Sequence, residues 1–85
     1  MSHKILYTKS AVRDIKKLDS VAKKKIRKKI EKFSKKPLSN ARKLLDPKIG
    51  SYRWRAGNYR IVFDIEKSKI IILRVGHRKE IYKYS

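Results

Sequence analysis

The sequence predicts an α+β fold: an N-terminal strand and an antiparallel helical hairpin, packed on one face of a three- to four-stranded antiparallel sheet. This prediction rests on a change in the spacing of apolar residues along the chain. Between residues 11 and 33 apolar side chains recur every three or four positions, as on a helix. After residue 50 they recur every second position, and residues 69–75 form a β-branched, apolar run typical of a central strand. Helices followed by consecutive strands indicate separate α and β layers.

The first elements are a short strand at residues 3–7 and a helix. Thr8 or Ser10 can cap this helix, and Asp14 is expected in its first turn, where a carboxylate suits the helix dipole. The apolar residues on one face of the helix are Ala11, Ile15 and Leu18.

A second helix follows, with Asp19 or Ser20 as its cap. Pro37 ends it, because proline lacks the backbone N–H that a helix interior requires. Lys and Arg occupy most of its other positions. The apolar stripe consists of Ala22, Ile26, Ile30 and Phe33.

Turn residues divide the rest of the chain into strands. Gly57–Asn58 fits a two-residue hairpin turn with glycine first, of type II′. Gly76 is expected to end the central strand. The predicted segments are a loop at 36–50, strands at 51–56, 58–66 and 69–75, and a final strand or helical turn at 78–84. Because domains of this size fold alone, we expect one domain over residues 1–85.

The charge balance indicates the class of partner. The chain has 26 Lys and Arg against 7 Asp and Glu, a formal charge of +19. A net charge of roughly 2–8 already keeps a small domain soluble, so the excess indicates a polyanion. Nucleic acid, an acidic protein and an anionic membrane are the alternatives, and RNA is the expected partner. A membrane ranks last because the helices have only narrow apolar stripes, which the core needs.

Composition argues against a metal, a cofactor and a membrane anchor. The chain has no cysteine, and its histidines, His3 and His77, lack metal-binding spacing. We expect no cofactor, because so short a chain cannot enclose a bulky group. Residues 1–9 lack the apolar core of a secretory signal, and the run Ile70–Leu73 is too short to span a bilayer. The expected location is the cytoplasm.

Three arginines are expected to converge on one face of the sheet. If Gly57–Asn58 is the turn, Arg55 pairs with Arg60, and Arg53 shares their face because side chains alternate along a strand. Asp64 is the nearby carboxylate on that face. Like charges across a strand pair are unfavourable, so this open, unneutralised cluster indicates a phosphate site. A solvated surface on a generally basic chain is the alternative.

A further arginine, Arg74, follows this hairpin in the sequence. Arg suits planar recognition of phosphate better than Lys does. We therefore place Arg74 with Arg53 and Arg55 as candidate RNA- or phosphate-binding residues.

The segment after the central strand is a second candidate site. A turn at Gly76 would bring Arg78 and Tyr82 near the arginine face. His77 suits proton transfer because histidine titrates near neutral pH. The alternatives are a surface or capping role for His77 and a core or edge position for Tyr82.

Two motifs carry a resemblance to a known family. The first is RxGxYR, spelled by residues 55–60 and preceded by Leu44-Leu45, and the second is VGHR at residues 75–78. With these motifs the chain resembles the RelE/ParE toxin superfamily, and its length and element order agree over nearly the whole chain. The resemblance implies the toxin of a type II toxin–antitoxin pair. RelE-type members cleave mRNA in the ribosomal A site by attack of a 2′-hydroxyl, and an acidic antitoxin holds them inactive. The implied partners are the ribosome, mRNA and a cognate antitoxin.

The resemblance also assigns roles to the arginines. Arg53 and Arg55 match basic residues that are lysines in the best-studied RelE pattern. Because arginine does not release its proton in ordinary sites, they would stabilise the charged phosphorane without acting as a base. Arg60 would hold the scissile phosphate, and Arg78 would be a second stabiliser.

The proton-transfer groups are assigned in the same way. Tyr82 matches the C-terminal tyrosine of the family approximately, with a shorter spacing from Arg78, and is the hypothesised base. His77 is the hypothesised acid. Two other functions remain open: ParE-like inhibition of DNA gyrase without catalysis, and a basic nucleic-acid-binding module that does not cleave.

Overall fold

The computed structural model describes residues 4–39, 41–43 and 52–77. Its strands form one five-stranded sheet in the order β1-β5-β4-β3-β2, in which β2 has only two residues. The predicted α+β class is confirmed. The sheet is mixed, because β1 lies parallel to β5 while the other neighbours are antiparallel. The elements are β1 (Lys4–Tyr7), α1 (Lys9–Lys16), α2 (Ser20–Ser34), β2 (Arg42–Lys43), β3 (Tyr52–Ala56), β4 (Tyr59–Glu66) and β5 (Lys69–His77).

Both helices begin at a capping side chain. For each helix the sequence offered two candidate caps, and the first of the two is the one observed. The Thr8 hydroxyl accepts a hydrogen bond from the Ala11 N–H at 3.1 Å. The Asp19 carboxylate accepts one from the Ala22 N–H at 2.7 Å. These oxygens satisfy donors that would have no partner in the first turn of a helix. Asp14, expected in the first turn of α1, lies beyond that turn.

The core lies between the two helices and one face of the sheet. Trp54 of β3 is at its centre, with no exposed surface. Its ring stacks on Phe63 with centroids 4.0 Å apart, and its indole N–H donates to the Pro37 carbonyl at 2.9 Å. The buried members are Ala11, Ile26, Ile30, Phe33, Trp54, Ala56, Ile61, Phe63, Ile70, Ile72 and Val75. The predicted apolar faces of both helices and of β3 to β5 therefore meet in one cluster.

The β3–β4 hairpin has the predicted register, with Arg55 opposite Arg60. Its turn is Gly57–Asn58, and Gly57 has a φ of +63°. The φ of Asn58 is not positive. A positive φ at the first turn position alone is the signature of type II′, and glycine adopts it without steric cost.

β5 differs from its prediction at its end. The expectation that Gly76 ends this strand is wrong, because the strand continues to His77. Gly76 and His77 pair with Arg60 and Tyr59 of β4, so ladder hydrogen bonding carries the strand past the glycine. Leu73 is an extra residue in this ladder, since Val62 pairs with Arg74 and Phe63 with Ile72. In the described ranges no helix is long and apolar enough to cross a membrane.

Candidate nucleic-acid interface

The β3–β4 hairpin brings the three predicted arginines to one face of the sheet. Arg55 lies directly opposite Arg60, and Arg53 lies opposite Val62, two residues further from the turn. Residues that pair across strands share a face, with Cβ atoms roughly 5 Å apart. The core residues of the same strands point to the helices. The predicted convergence of Arg53, Arg55 and Arg60 on the other face is therefore present.

This arginine face is less open than the sequence predicted. Arg60 retains only 5% of its exposure, Arg53 is partly buried, and Arg55 is exposed. Arg53 and Arg60 each engage other groups of the protein. Within the described part of the chain, Arg55 makes no ion pair. Arg55 is therefore the member of the cluster most available to a ligand.

Arg60 is oriented by the turn beside it. Its Nη1 donates to the carbonyl oxygens of Gly57 at 3.3 Å and of Tyr59 at 3.2 Å. Gly76 is its neighbour on β5, so no side chain on that strand competes for the space. A guanidinium held by backbone carbonyls has a fixed direction, which is the preorganisation that charge stabilisation requires.

Val62 is an apolar residue that lies among the arginines of this face. It is fully buried although it lies on the face opposite the helices. Arg53 and Arg74 flank it on the two neighbouring strands, and long basic side chains cover apolar neighbours with their aliphatic stems. The stems of Arg53 and Arg74 therefore contribute to the burial of Val62.

Arg74 is held by a carboxylate. Its Nε donates to Asp14 Oδ2 at 2.8 Å and its Nη2 to Asp14 Oδ1 at 3.2 Å. This bidentate ion pair joins β5 to α1, and the Asp14 side chain is only 12% exposed. Asp14 therefore neutralises Arg74, whose role as an RNA- or phosphate-binding residue stays a prediction. Sequence reasoning missed this ion pair, because Asp14 and Arg74 are far apart in the chain.

A signal for the Asp14 contact was present in the sequence. Asp14 is three residues after Ala11 and four before Leu18, so it falls on the core-facing stripe of α1. A carboxylate on such a stripe indicates a partly buried partner, because an unpaired charge there would be costly. That partner is Arg74.

His77 lies at the end of β5, next to the arginine hairpin. It pairs with Tyr59, and the two rings meet edge to face with centroids 5.9 Å apart. Tyr59 directly precedes Arg60. The structure therefore places His77 against Tyr59, on the helix side of the sheet and not on the arginine face, and its side chain is partly exposed. Its role in proton transfer stays a prediction.

Several predicted residues lie outside the described residues. They include the stabiliser Arg78, the base Tyr82 and the pair Leu44-Leu45, and their roles stay predictions. Within residues 4–39, 41–43 and 52–77, no group of three or more His, Asp or Glu side chains is arranged to hold a metal ion.

A groove lies between the two helices, and no residue of the β3–β4 hairpin lines it. Its volume is about 290 Å³. Burial raises the pKa of Tyr7, which lies at this groove, while the nearby Arg27 opposes that shift. The lining residues are Tyr7, Val12, Ile15, Lys16, Lys23, Ile26, Arg27 and Ile30.

Comparison with known proteins agrees with this architecture. The sequence model of the ParE toxin of the type II toxin–antitoxin system parDE matches residues 5–82. Toxin RelE3 of Methanocaldococcus jannaschii is 39% identical over 85 residues, covering 95% of this chain and 97% of that relative.

Two solved toxin–antitoxin complexes contain similar chains. One is the RelBE2 complex of Mycobacterium tuberculosis, with a TM-score of 0.82 and 27% identity, covering 92% of this chain and 100% of that chain. The other is the RelB–RelE complex of Methanococcus jannaschii, with a TM-score of 0.72 and 34% identity, covering 93% and 96%. The fold is that of small toxins of type II toxin–antitoxin systems. This chain belongs to the RelE/ParE toxin superfamily.

Proposed function

We propose that this chain is a ribosome-dependent endoribonuclease that cleaves mRNA in the ribosomal A site and so stops translation. The observation that carries the proposal is the pairing of Arg55 with Arg60 on the β3–β4 hairpin, on the face of the sheet opposite the helices. Two arginines opposite each other on rigid strands repel, so a bound phosphate stabilises the arrangement.

The proposed reaction is attack of an mRNA 2′-hydroxyl on the adjacent phosphorus. The bond from phosphorus to the 5′-oxygen breaks, leaving a 2′,3′-cyclic phosphate and a 5′-hydroxyl. Arg60 holds the scissile phosphate, and Arg55, Arg53 and Arg78 stabilise the extra charge on the phosphorane. Arg74 has no place in this step, because Asp14 holds its guanidinium.

Proton transfer requires other groups, because arginine keeps its proton. Tyr82 takes the proton of the attacking 2′-hydroxyl, and His77 gives one to the leaving 5′-oxygen. The support for Tyr82 is its match to the family motif. The support for His77 is its place directly after Gly76, the partner of Arg60 on β5, although its ring meets Tyr59 on the helix side of the sheet. General acid–base catalysis of this kind contributes about 10²–10⁴-fold to a rate.

The proposed partners follow from charge. With a formal charge of +19, the chain binds the phosphate-rich A site, and an acidic antitoxin encoded nearby neutralises the same charge. Similar chains of Mycobacterium tuberculosis and Methanococcus jannaschii were solved with RelB antitoxins, which supports a partner of that kind. The proposed location is the cytoplasm, where ribosomes are.

Cell-free translation tests the proposal. We expect the purified chain to stop synthesis and to leave mRNA cut at codons in the A site. The same mRNA without ribosomes is expected to stay intact, because the ribosome positions the reacting groups. Tyr82→Phe is expected to retain the fold and lose cleavage. Full cleavage by Tyr82→Phe would remove that residue from the mechanism.

ParE-like inhibition of DNA gyrase is a second candidate, because the matching family model is that of the ParE toxin. A gyrase inhibitor would leave translation running and block supercoiling of a relaxed plasmid. A binding module without catalysis would protect RNA without cutting it. Running the translation and supercoiling assays on one preparation separates the three functions.

A further inference from the structure

The arginine face of the sheet extends beyond the β3–β4 hairpin onto β2. Arg42 of β2 pairs with Arg53 of β3, and residues that pair across strands share a face. The preceding residue, Ala41, packs partly buried against the core, so alternation also directs Arg42 away from the helices. Arg42 therefore joins the arginines of the hairpin on one side of the sheet. The sequence had predicted this segment as a loop, so it assigned Arg42 to no face.

The surroundings of Arg42 are cationic. Its side chain is exposed, and within the described residues it makes no ion pair. The carboxylates on this face of the described strands are Asp64 and Glu66 of β4, and β3 lies between them and β2. The partner of Arg42 across the ladder is instead the like-charged Arg53. Because like charges directly opposite each other weaken a strand pair, the fold itself gives no reason for an arginine at this position.

Arg42 and Arg55 are diagonal neighbours on adjacent strands. Arg42 pairs with Arg53, and Arg55 is two residues further along β3, toward the turn. Diagonal positions on one face of a strand pair lie roughly 7–8 Å apart. This spacing is comparable to that of successive phosphates in an extended RNA strand. Both side chains are exposed, so each can bind a phosphate of its own.

Exposed guanidinium groups at this spacing favour a phosphodiester backbone as the ligand. Each guanidinium presents a planar fork of N–H donors that matches two phosphate oxygens. A row of such cations follows the backbone of a single strand and does not depend on its base sequence. The alternative is a charge that only protects the sheet edge, since edge strands commonly carry cations that prevent pairing with other chains.

We propose that Arg42 is a substrate-binding residue, which holds the mRNA phosphate next to the one that Arg55 and Arg60 engage. The RNA backbone then crosses β3 diagonally, from the hairpin turn toward β2. The identity of the RNA as ribosome-bound mRNA rests on the proposed function, whereas phosphate binding by Arg42 does not depend on cleavage. Because Arg42 contacts a phosphate that does not react, it binds the substrate and the transition state equally.

Binding to a short single-stranded RNA with 2′-O-methyl groups, which cannot be cleaved by 2′-hydroxyl attack, tests the inference. Fluorescence anisotropy at several salt concentrations gives the slope of log affinity against log salt. Arg42→Ala is expected to lower this slope by about 0.7, the value for one phosphate contact. Arg42→Lys is expected to keep the slope, because it keeps the charge. Arg13→Ala is the matched control and should also keep it, because it removes the same charge from an exposed position on α1.

A double variant distinguishes two phosphates from one. Arg42→Ala combined with Arg55→Ala is expected to lower the slope by about 1.4, the value for two phosphate contacts. A loss of only about 0.7 would mean that both arginines bind the same phosphate. That result would overturn the assignment of Arg42 to the adjacent phosphate.

Kinetics on ribosome-bound mRNA separate binding from chemistry. For Arg42→Ala we expect KM to rise by about two- to fivefold, the usual effect of one exposed charge pair. We expect kcat to stay unchanged, because an interaction made equally in the ground and transition states affects KM alone. The melting temperature of this variant should not fall, since the substitution relieves the repulsion between Arg42 and Arg53.

An unchanged slope for Arg42→Ala, or an equal loss for Arg13→Ala, would overturn the inference and leave Arg42 as a charge that protects the sheet edge. So would a lower kcat with an unchanged KM, which would place Arg42 in the chemical step. A wild-type chain that leaves ribosome-bound mRNA uncut would contradict the proposed function. The salt slopes of Arg42→Ala and Arg13→Ala would then still decide whether Arg42 binds a phosphate.

Discussion

Arg55 and Arg60 show how two residues of the same type acquire different roles from their positions. Arg60 is almost fully buried, and two carbonyl oxygens of its own hairpin turn fix its Nη1. Arg55, directly opposite, is exposed. A preorganised cation beside an accessible one suits a site that must first attract a phosphate and then stabilise its added charge.

Arg55→Ala is therefore expected to lower cleavage of ribosome-bound mRNA by about 100-fold, the typical effect of losing one charge-stabilising donor. Stability should change by less than about 0.5 kcal/mol, as for other exposed side chains. The measurement is single-turnover cleavage together with thermal unfolding. Arg13→Ala is the control, because it removes the same charge from an exposed position on α1. Equal effects of the two substitutions would show that only net charge matters.

Trp54 illustrates a residue whose role is packing. Trp54→Phe removes the indole N–H and leaves the Pro37 carbonyl without its donor. It also leaves space in a fully buried site beside Phe63. We expect the free energy of unfolding to fall by about 2–3 kcal/mol, measured by urea denaturation. Val21→Ala, at a position 63% exposed, should change it by less than about 0.5 kcal/mol. A loss below 1 kcal/mol for Trp54→Phe would contradict this account of the core.

At the scale of elements, the turn between β4 and β5 contains a strained position. Lys67 has a φ of +56°, a left-handed conformation that is unfavourable for residues with a Cβ. Glycine adopts it readily but loses more conformational freedom on folding.

Lys67→Gly is therefore expected to stabilise the protein by about 0.5–1 kcal/mol, the difference between these two effects. Ser68→Gly is the matched control in the same turn, and its φ is not positive. It should be neutral or destabilising. Thermal unfolding of both variants checks the prediction, and a lower melting temperature for Lys67→Gly would contradict it.

The elements that the sequence predicted are those set by neighbouring residues. The caps at Thr8 and Asp19, the apolar helix stripes and the Gly57–Asn58 turn all depend on short-range chemistry, and the turn fixes the pairing of Arg55 with Arg60. Features that depend on distant parts of the chain were missed. They are the parallel pairing of β1, the extension of β5 past Gly76 and the two-residue strand β2.

The candidate site divides in the same way. Strand alternation sufficed to place Arg53, Arg55 and Arg60 on one face. Their burial could not be predicted, because it depends on how three strands and their side chains meet around Val62. The ion pair of Arg74 with Asp14 joins residues 60 positions apart, so the helical spacing indicates that Asp14 has a partner but not which residue it is. A local rule therefore located the cluster, and tertiary contacts decided which arginine faces a ligand.

At the scale of the whole molecule, charge determines how the protein binds. A chain of charge +19 attracts any polyanion, so affinity alone does not identify a site. The salt dependence of binding is more informative, because its slope counts the phosphates contacted.

We expect the logarithm of the affinity for single-stranded RNA to fall linearly with the logarithm of salt concentration. Arg55→Ala should reduce that slope by about 0.7, the value for one phosphate contact on a single strand. Arg74→Ala should leave the slope unchanged, because Asp14 already holds that guanidinium. Fluorescence anisotropy at several salt concentrations measures both slopes. A smaller slope for Arg74→Ala would place this arginine on the RNA.

The central proposal is that the arginine hairpin performs phosphodiester chemistry on ribosome-bound mRNA. The most direct measurement is the chemical identity of the mRNA ends after incubation with programmed ribosomes, for the wild-type chain and for a folded Arg60→Ala variant. We predict 2′,3′-cyclic phosphate and 5′-hydroxyl ends for the wild type, and about 10²–10³-fold slower formation of them for Arg60→Ala. Intact mRNA with the wild type, or the same ends at the same rate from Arg60→Ala, would contradict the claim.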